Sequence, residues 1–391
     1  MRKILFDLTK TQPLDSIKIH GGGKYGVVVC RALIEKSPDK VAVYYNPSVY
    51  LDERLKRQID AIGVECHTTS EGNICEIAEK GSYAIYTPLF SDNYLKVKDT
   101  PLIATIHGLR YIEMPYDDYE QYYIRDRSFV NKLLLTFGLG NLRRKLTVMK
   151  YQRRYANRYT RWLKNQQCHF VIVSEHSRAS LMSFVPAVRQ DMIKVCYSPS
   201  TIDDSLKVSQ TEYSKTKFWL MVSGNRWLKN CLRAIEAFDA LFTERKELKG
   251  QVLITGIDHL NFNGFHIVNK ERFTALGYVD ESMLKSLYHD AYALVYPSLN
   301  EGFGYPPLEA MHEGTPVMAS AISSIPEVCG DAVLYFNPFL IQEIKMRILQ
   351  MEDPQTREHY VEFGKNRQQF IEQKQKRDLE LLCDAILNYT K

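Results

Sequence analysis

The sequence predicts an α/β chain of two doubly wound domains. Short apolar runs alternate with segments of helical periodicity, the alternation stops once near residue 200, and it then restarts in the same style. In the first half, Lys3–Asp7, Lys40–Tyr44, Tyr83–Tyr86, Leu102–Ile106 and His169–Val173 read as buried strands, and Tyr25–Glu35 and Leu51–Ile62 read as helices between them. Pro199 to Lys217 is rich in Ser, Thr and Asp with few large apolar residues, which reads as a linker. Beyond it, Phe218–Val222, Val252–Thr255, Phe273–Leu276, Ala293–Tyr296 and Pro316–Ala319 read as strands, with helices at Cys231–Phe242, Glu281–His289 and Pro307–His312. From about Gln342 the chain is helical and charged. Ligands of such folds bind beyond the carboxyl ends of the strands.

A chain of 391 residues, 45% hydrophobic and 25% charged, is ordinary for a globular protein, which excludes disordered and collagen-like classes. No apolar run approaches the roughly 18–20 residues of a membrane span. Asp7 interrupts the N-terminal apolar run too early for a signal peptide. The eight cysteines are scattered without zinc spacing and read as small core residues in a reducing cytosol. The net charge of +5 is unevenly spread: Gln121 to Lys164 holds twelve Lys and Arg against one acid, Asp126, a local +11 that leaves −6 for the remainder. Arg143, Arg144, Lys145, Arg153 and Arg154 lie in this segment, with Tyr151, Tyr155, Tyr159 and Trp162 interleaved at near-helical spacing. Two readings stand: a basic amphipathic helix for an anionic membrane surface, or a solvated helix whose aromatic stripe is core. No recognition motif accompanies the charge, so nucleic acid is not an expected partner.

The most informative stretch runs from Ser298 to Val317. Glu301-Gly302-Phe303-Gly304 is a loop at the carboxyl end of a buried strand, and Pro306-Pro307 suits a helix start. The glycines allow close backbone approach to a ligand, and the helix start favours a diphosphate. Glu309 is expected in the first turn of that helix; its bland reading is a capping carboxylate, whereas Glu301 and Glu309 together suit vicinal hydroxyls. Val222 to Asn230 lies between a strand and a helix, where Arg226 and Lys229 can address one anionic group and stabilise a departing diphosphate. Gly21-Gly22-Gly23 precedes a helix, which by itself is compatible with a simple flexible turn. His107 ends a buried strand, and Ser174 most simply caps the helix that follows it.

Glu301-x7-Glu309 with its embedded Gly-Phe-Gly, Glu-Gly-Thr-Pro-Val at 313–317, Ser-Ile-Pro-Glu-Val at 324–328, Gly330-Asp331-Ala332 and Asn337-Pro338 resemble the retaining GT-B glycosyltransferases of family 4, in particular a mannosyltransferase-like branch. The resemblance implies two Rossmann-like domains facing a central cleft: residues 1–200 on the acceptor side, a linker at 201–216, a nucleotide-sugar domain at 217–372, and a helix at 373–391 packing back on the first domain. By the same resemblance Glu309 would bind the ribose, and Glu301 the sugar hydroxyls. Gly302, Phe303 and Gly304 would contact sugar and phosphates. Lys229 and Arg226 would hold the diphosphate, and the backbone near Gly277-Tyr278-Val279 the base. Gly22 and Gly23 would face the donor phosphates, and His107 the donor sugar.

The expected reaction moves a hexose, GDP-mannose being the favoured donor, to a glycan or lipid-linked glycan with retention of configuration. The sequence has no Asp-x-Asp pair, so neither a metal nor a cofactor is expected. The expected location is cytoplasmic, peripheral on the inner face of the membrane, in envelope polysaccharide synthesis. A nucleotide-sugar epimerase of the same fold and a non-catalytic membrane scaffold are the competing readings.

Overall fold

The computed structural model describes residues 2–13, 21–95, 97, 99–115, 117–123, 139–165 and 167–389, with only the backbone of 139–144. It divides into two compact units, 1–112 with 152–201 and 372–391, and 113–151 with 202–371.

The first unit is built on seven parallel strands: β1 (Ile4–Asp7), β2 (Val41–Tyr45), β3 (Glu65–Thr68), β4 (Ala84–Thr87), β5 (Leu102–Ile106), β6 (Cys168–Ile172) and β7 (Ile193–Val195). Their order is β3-β2-β1-β4-β5-β6-β7, so the winding reverses between β1 and β4. Helices Gly21–Lys36 and Glu53–Ile62 connect β1 to β2 and β2 to β3, and Ile74–Gly81 connects β3 to β4. Asp52 and Asn73 start the latter two by accepting the amides two and three residues ahead. Strands β1, β4 and β5 are buried along their whole length and mostly apolar because both sheet faces are covered, as parallel sheets require. The end of the long helix Pro354–Asn388 belongs to this unit. Asp378 accepts the Tyr197 amide at 3.0 Å, and Gln375 donates to the Ser198 carbonyl at 2.6 Å.

The second unit has six parallel strands: β8 (Phe218–Met221), β9 (Gln251–Ile254), β10 (Phe273–Ala275), β11 (Ala293–Tyr296), β12 (Val317–Ser320) and β13 (Leu334–Phe336), ordered β10-β9-β8-β11-β12-β13. The winding reverses between β8 and β11. Helix Cys231–Glu244 supplies Leu232, Ile235, Phe238 and Phe242 to a core with Trp219, Ile254 and Phe336. Residues 113–123 leave the first unit after β5 and pack here, with Tyr119, Tyr122 and Tyr123 against that core.

The strands read from the sequence are present to within a residue or two. β3, β7 and β13 were not legible. All three are edge strands of three or four residues; β3 and β7 are largely half-exposed and β13 carries a half-exposed centre, so none makes a long apolar run. Six cysteines are buried as expected, but Cys66 is exposed on edge strand β3 and Cys75 is half-buried. The glycine triplet is itself the first turn of helix Gly21–Lys36 rather than a loop before it. Glu309 is the fifth residue of helix Tyr305–His312, one turn further in than expected, because the helix begins at Tyr305, directly after Gly304.

Candidate active site

The reversal between β8 and β11 opens a crevice at the carboxyl ends of these strands, the place where such sheets receive ligands. The loops leaving both strands line it, and the Leu299 amide donates to the Leu228 carbonyl at 2.8 Å, tying one loop to the other. Lys229 comes from the first loop and Glu301 from the second. The Lys229 ammonium donates to Glu301 Oε1 at 2.5 Å and to the Tyr296 hydroxyl at 3.0 Å. Ser298 donates to the same carboxylate oxygen. Burial pushes the Glu301 carboxyl up, but the Lys229 charge and the hydrogen bonds from Lys229, Ser298 and Tyr296 outweigh it and hold the group below its ordinary range. Burial and Glu301 drive the Tyr296 phenol well above its usual value, so it remains a neutral hydroxyl.

The turn that delivers Lys229 ends on Asn230, in the left-handed region at φ 54°, which asparagine tolerates. Its side chain donates to the Pro338 carbonyl at 2.8 Å. Across the crevice, the Glu301 amide donates to Ser323 Oγ at 3.0 Å, and Ser324 Oγ donates to the carbonyls of Glu301 and Phe303. These bonds lock the loop 301–304. Gly304 takes φ 101°, which reverses the chain into helix Tyr305–His312. A β-carbon at Gly304 would meet nothing within 4 Å, so the dihedral angle, not space, demands glycine. Pro306 and Pro307 have no N–H, so donors for an anion at this helix start come from Tyr305 and the loop amides. Glu309 accepts from the Tyr288 hydroxyl at 2.9 Å, which aims its carboxylate from the second turn. Tyr288 is itself buried and also accepts the Thr315 hydroxyl at its carbonyl.

Lys229 and Glu301 are therefore brought together, next to Gly302, Phe303 and Gly304. Arg226 is exposed at the start of its turn and takes no part in the Lys229–Glu301 pair. Val279 is half-buried beyond β10, after Gly277, whose carbonyl accepts the Gly256 amide. His107, Gly22 and Gly23 belong to the first unit. His107 Nε2 donates to the Pro88 carbonyl at 2.8 Å. The ring stands edge-on to Tyr25 at 4.5 Å, on the helix that the glycine triplet begins. Ser174 caps helix Glu175–Phe184, accepting the Ser177 amide at 3.1 Å.

The basic helix, Leu139–Trp162, divides by face. Tyr159 and Trp162 are buried against Phe90 and Phe170, while Tyr155 is half-buried and stacks on the exposed Tyr111, so the C-terminal half of the aromatic stripe is core. Lys145, Lys150, Arg153 and Arg154 are exposed, together with Leu146, Met149 and Tyr151. The side chains of Arg143 and Arg144 lie outside the described residues, as do residues 124–138. Sequence reasoning missed Tyr288, Tyr296, Ser298 and Ser323. Their one signal is position, each lying on or just beyond a helix or strand already recognised.

Residues 203–376 match the family described as glycosyl transferases group 1. Over 69 residues, 18% of the chain, it is 52% identical to the O-antigen chain mannosyltransferase RfbU of Salmonella typhimurium, covering 20% of that protein. Over 84 residues, 21% of the chain, it is 49% identical to O-antigen chain mannosyltransferase B of Escherichia coli, covering 22% of it. The matched segments thus span about a fifth of each relative. Among solved structures, sucrose-phosphate synthase of Thermosynechococcus elongatus aligns over 98% of both chains at 16% identity with a TM-score of 0.63, a likeness of fold. Residues 203–376 form a domain of the glycosyl transferases group 1 family, and the chain that carries it has the GT-B glycosyltransferase fold.

Proposed function

We propose that the chain is a retaining, metal-independent hexosyltransferase that uses GDP-mannose and a glycan or lipid-linked glycan acceptor of envelope polysaccharide synthesis. The observation that carries this reading is the Lys229–Glu301 pair at the β8/β11 reversal, beside a glycine-entered helix start. The likeness to two O-antigen mannosyltransferases supports the choice of mannose. In the reaction the acceptor oxygen bonds to the anomeric carbon as the sugar–phosphate bond breaks on the same face. The leaving phosphate oxygen takes the acceptor proton. Lys229, ion-paired with Glu301, and Arg226 on the same turn meet the charge that grows on the diphosphate. Glu309 accepts from the ribose hydroxyls, and Glu301 from the hexose.

Among the described residues no helix is long and apolar enough to cross a membrane. The exposed cations of helix Leu139–Trp162, beside Leu146, Met149 and Tyr151, support peripheral attachment to an anionic surface, where a lipid-linked acceptor would reside.

Release of nucleoside diphosphate from a panel of nucleotide-sugars, with and without EDTA, tests the reading. Release from GDP-mannose that EDTA leaves intact, and that Glu309→Ala abolishes, is the expected result. Unchanged release by Glu309→Ala removes the site assignment. Release from UDP-glucose alone removes the donor, and a free sugar inverted at C2 marks an epimerase instead.

A further inference from the structure

The segment that leaves the first sheet after β5 reaches a neighbour of each member of the Lys229–Glu301 pair. Asp117, buried, accepts from both terminal nitrogens of Arg233, at 2.9 and 2.7 Å. Arg233 in turn donates to Asn230 Oδ1 at 2.9 Å. Its guanidinium lies 3.8 Å over the Tyr119 ring, so four neighbours from one network immobilise it: two carboxylate oxygens, an amide oxygen and a ring face. Asn230 is the left-handed residue directly after Lys229. At the other end of the segment, Asn300 donates to Glu113, and Asn300 directly precedes Glu301. A bidentate, buried Arg–Asp pair on a core helix has a plain structural use, but its third hydrogen bond goes to the left-handed residue that ends the turn directly after Lys229.

We infer that Asp117 is a positioning residue of the donor site: acting through Arg233, it holds the Asn230 turn that presents Lys229 to Glu301 and to the donor diphosphate. This inference rests on the donor-site reading above. Among the described residues Asp117 is the only carboxylate bonded to Arg233.

The test is a double-mutant cycle on nucleoside-diphosphate release from GDP-mannose and UDP-glucose, with thermal unfolding of each variant recorded. Asp117→Asn should lower turnover at saturating donor by about tenfold or more, since small displacements of catalytic groups cost that much. In a Lys229→Ala background the same change should cost less than about twofold, because coupled residues do not add. Multiplying losses, or an Asp117→Asn protein within about twofold of the unaltered one, overturn the inference. Asn230→Gly keeps the left-handed turn and removes both side-chain bonds. It should reproduce the loss and its coupling to Lys229, and it carries the test if Asp117→Asn fails to fold. Tyr119→Phe loosens the same segment at Glu236 without touching the Arg233–Asn230 link. It should retain turnover; a loss equal to that of Asp117→Asn would mean that the segment only holds the unit together, which overturns the inference. A Lys229→Ala protein with full turnover, or no release from either donor by the unaltered protein, overturns the donor-site reading and this inference with it.

Discussion

Lys229 and Glu301, from loops after the adjacent strands β8 and β11, form an ion pair of 2.5 Å whose side chains are only 10% and 17% exposed. Removing one partner leaves a charge without its counter-charge in a place that water barely reaches. Glu301→Gln is therefore expected to lower stability by about 3 kcal/mol, and Lys229→Met combined with Glu301→Gln to recover most of it. Urea unfolding of the three variants checks both. The folded Glu301 carboxyl titrates below its ordinary 4.5, so the stabilisation is complete above that value and is lost as the pH falls through the lower folded-state pKa. The stability gap between the unaltered protein and Glu301→Gln should narrow in that acid range and stay constant above it.

Glu309 is aimed by Tyr288. Burial and the Glu309 carboxylate push the Tyr288 phenol well above its ordinary value, so it donates throughout the working range. Tyr288→Phe should weaken GDP binding by about 1 kcal/mol, roughly fivefold. The effect should be flat from about pH 6 to about pH 9, far from any phenol titration. Glu309→Ala should cost more, about 2–3 kcal/mol, because a charged acceptor is lost. Calorimetric titration with GDP gives both values.

Gly304 and Gly264 share a positive φ, 101° and 76°, and open space where a β-carbon would go. Alanine at either should cost about 1–3 kcal/mol of stability through backbone strain. Only Gly304→Ala should also lower donor turnover, since only Gly304 turns the chain from the Glu301 loop into its helix. Matched unfolding and activity measurements separate strain from function.

The basic helix carries two separable roles. Neutralising Lys145, Lys150, Arg153 and Arg154 to Gln should leave the unfolding temperature nearly unchanged, because all four are exposed. It should weaken co-sedimentation with vesicles of phosphatidylserine and phosphatidylcholine by up to about 1 kcal/mol per residue. Trp162→Ala should instead destabilise by about 3–5 kcal/mol, as a core aromatic does. Vesicle binding that survives the fourfold change removes the membrane surface from the proposal.

Much of the fold was legible because central parallel strands, covered on both faces, are mostly apolar. Leu102–Ile106 and Ala293–Tyr296 announce themselves in this way. Edge strands β3, β7 and β13 do not, because they are short and partly exposed, although edge strand β10 was read. The positions of Glu301, the two glycines and Lys229 in the loops after β11 and β8 were legible too, whereas Glu309 was expected one turn earlier in its helix than it lies.

What the sequence by itself determined is the alternation of elements, the local chemistry of each loop, and the excess of positive charge between Gln121 and Lys164. Only the tertiary structure decided which of these residues meet. Lys229 and Glu301 are 72 residues apart and pair because the sheet order places β11 beside β8. Arg233 meets Asp117 across 116 residues because a segment from between β5 and β6 packs on the second unit. Periodicity reports which face of an element is apolar. It carries no information on which strand lies next to which, and that order is settled by the packing of whole elements.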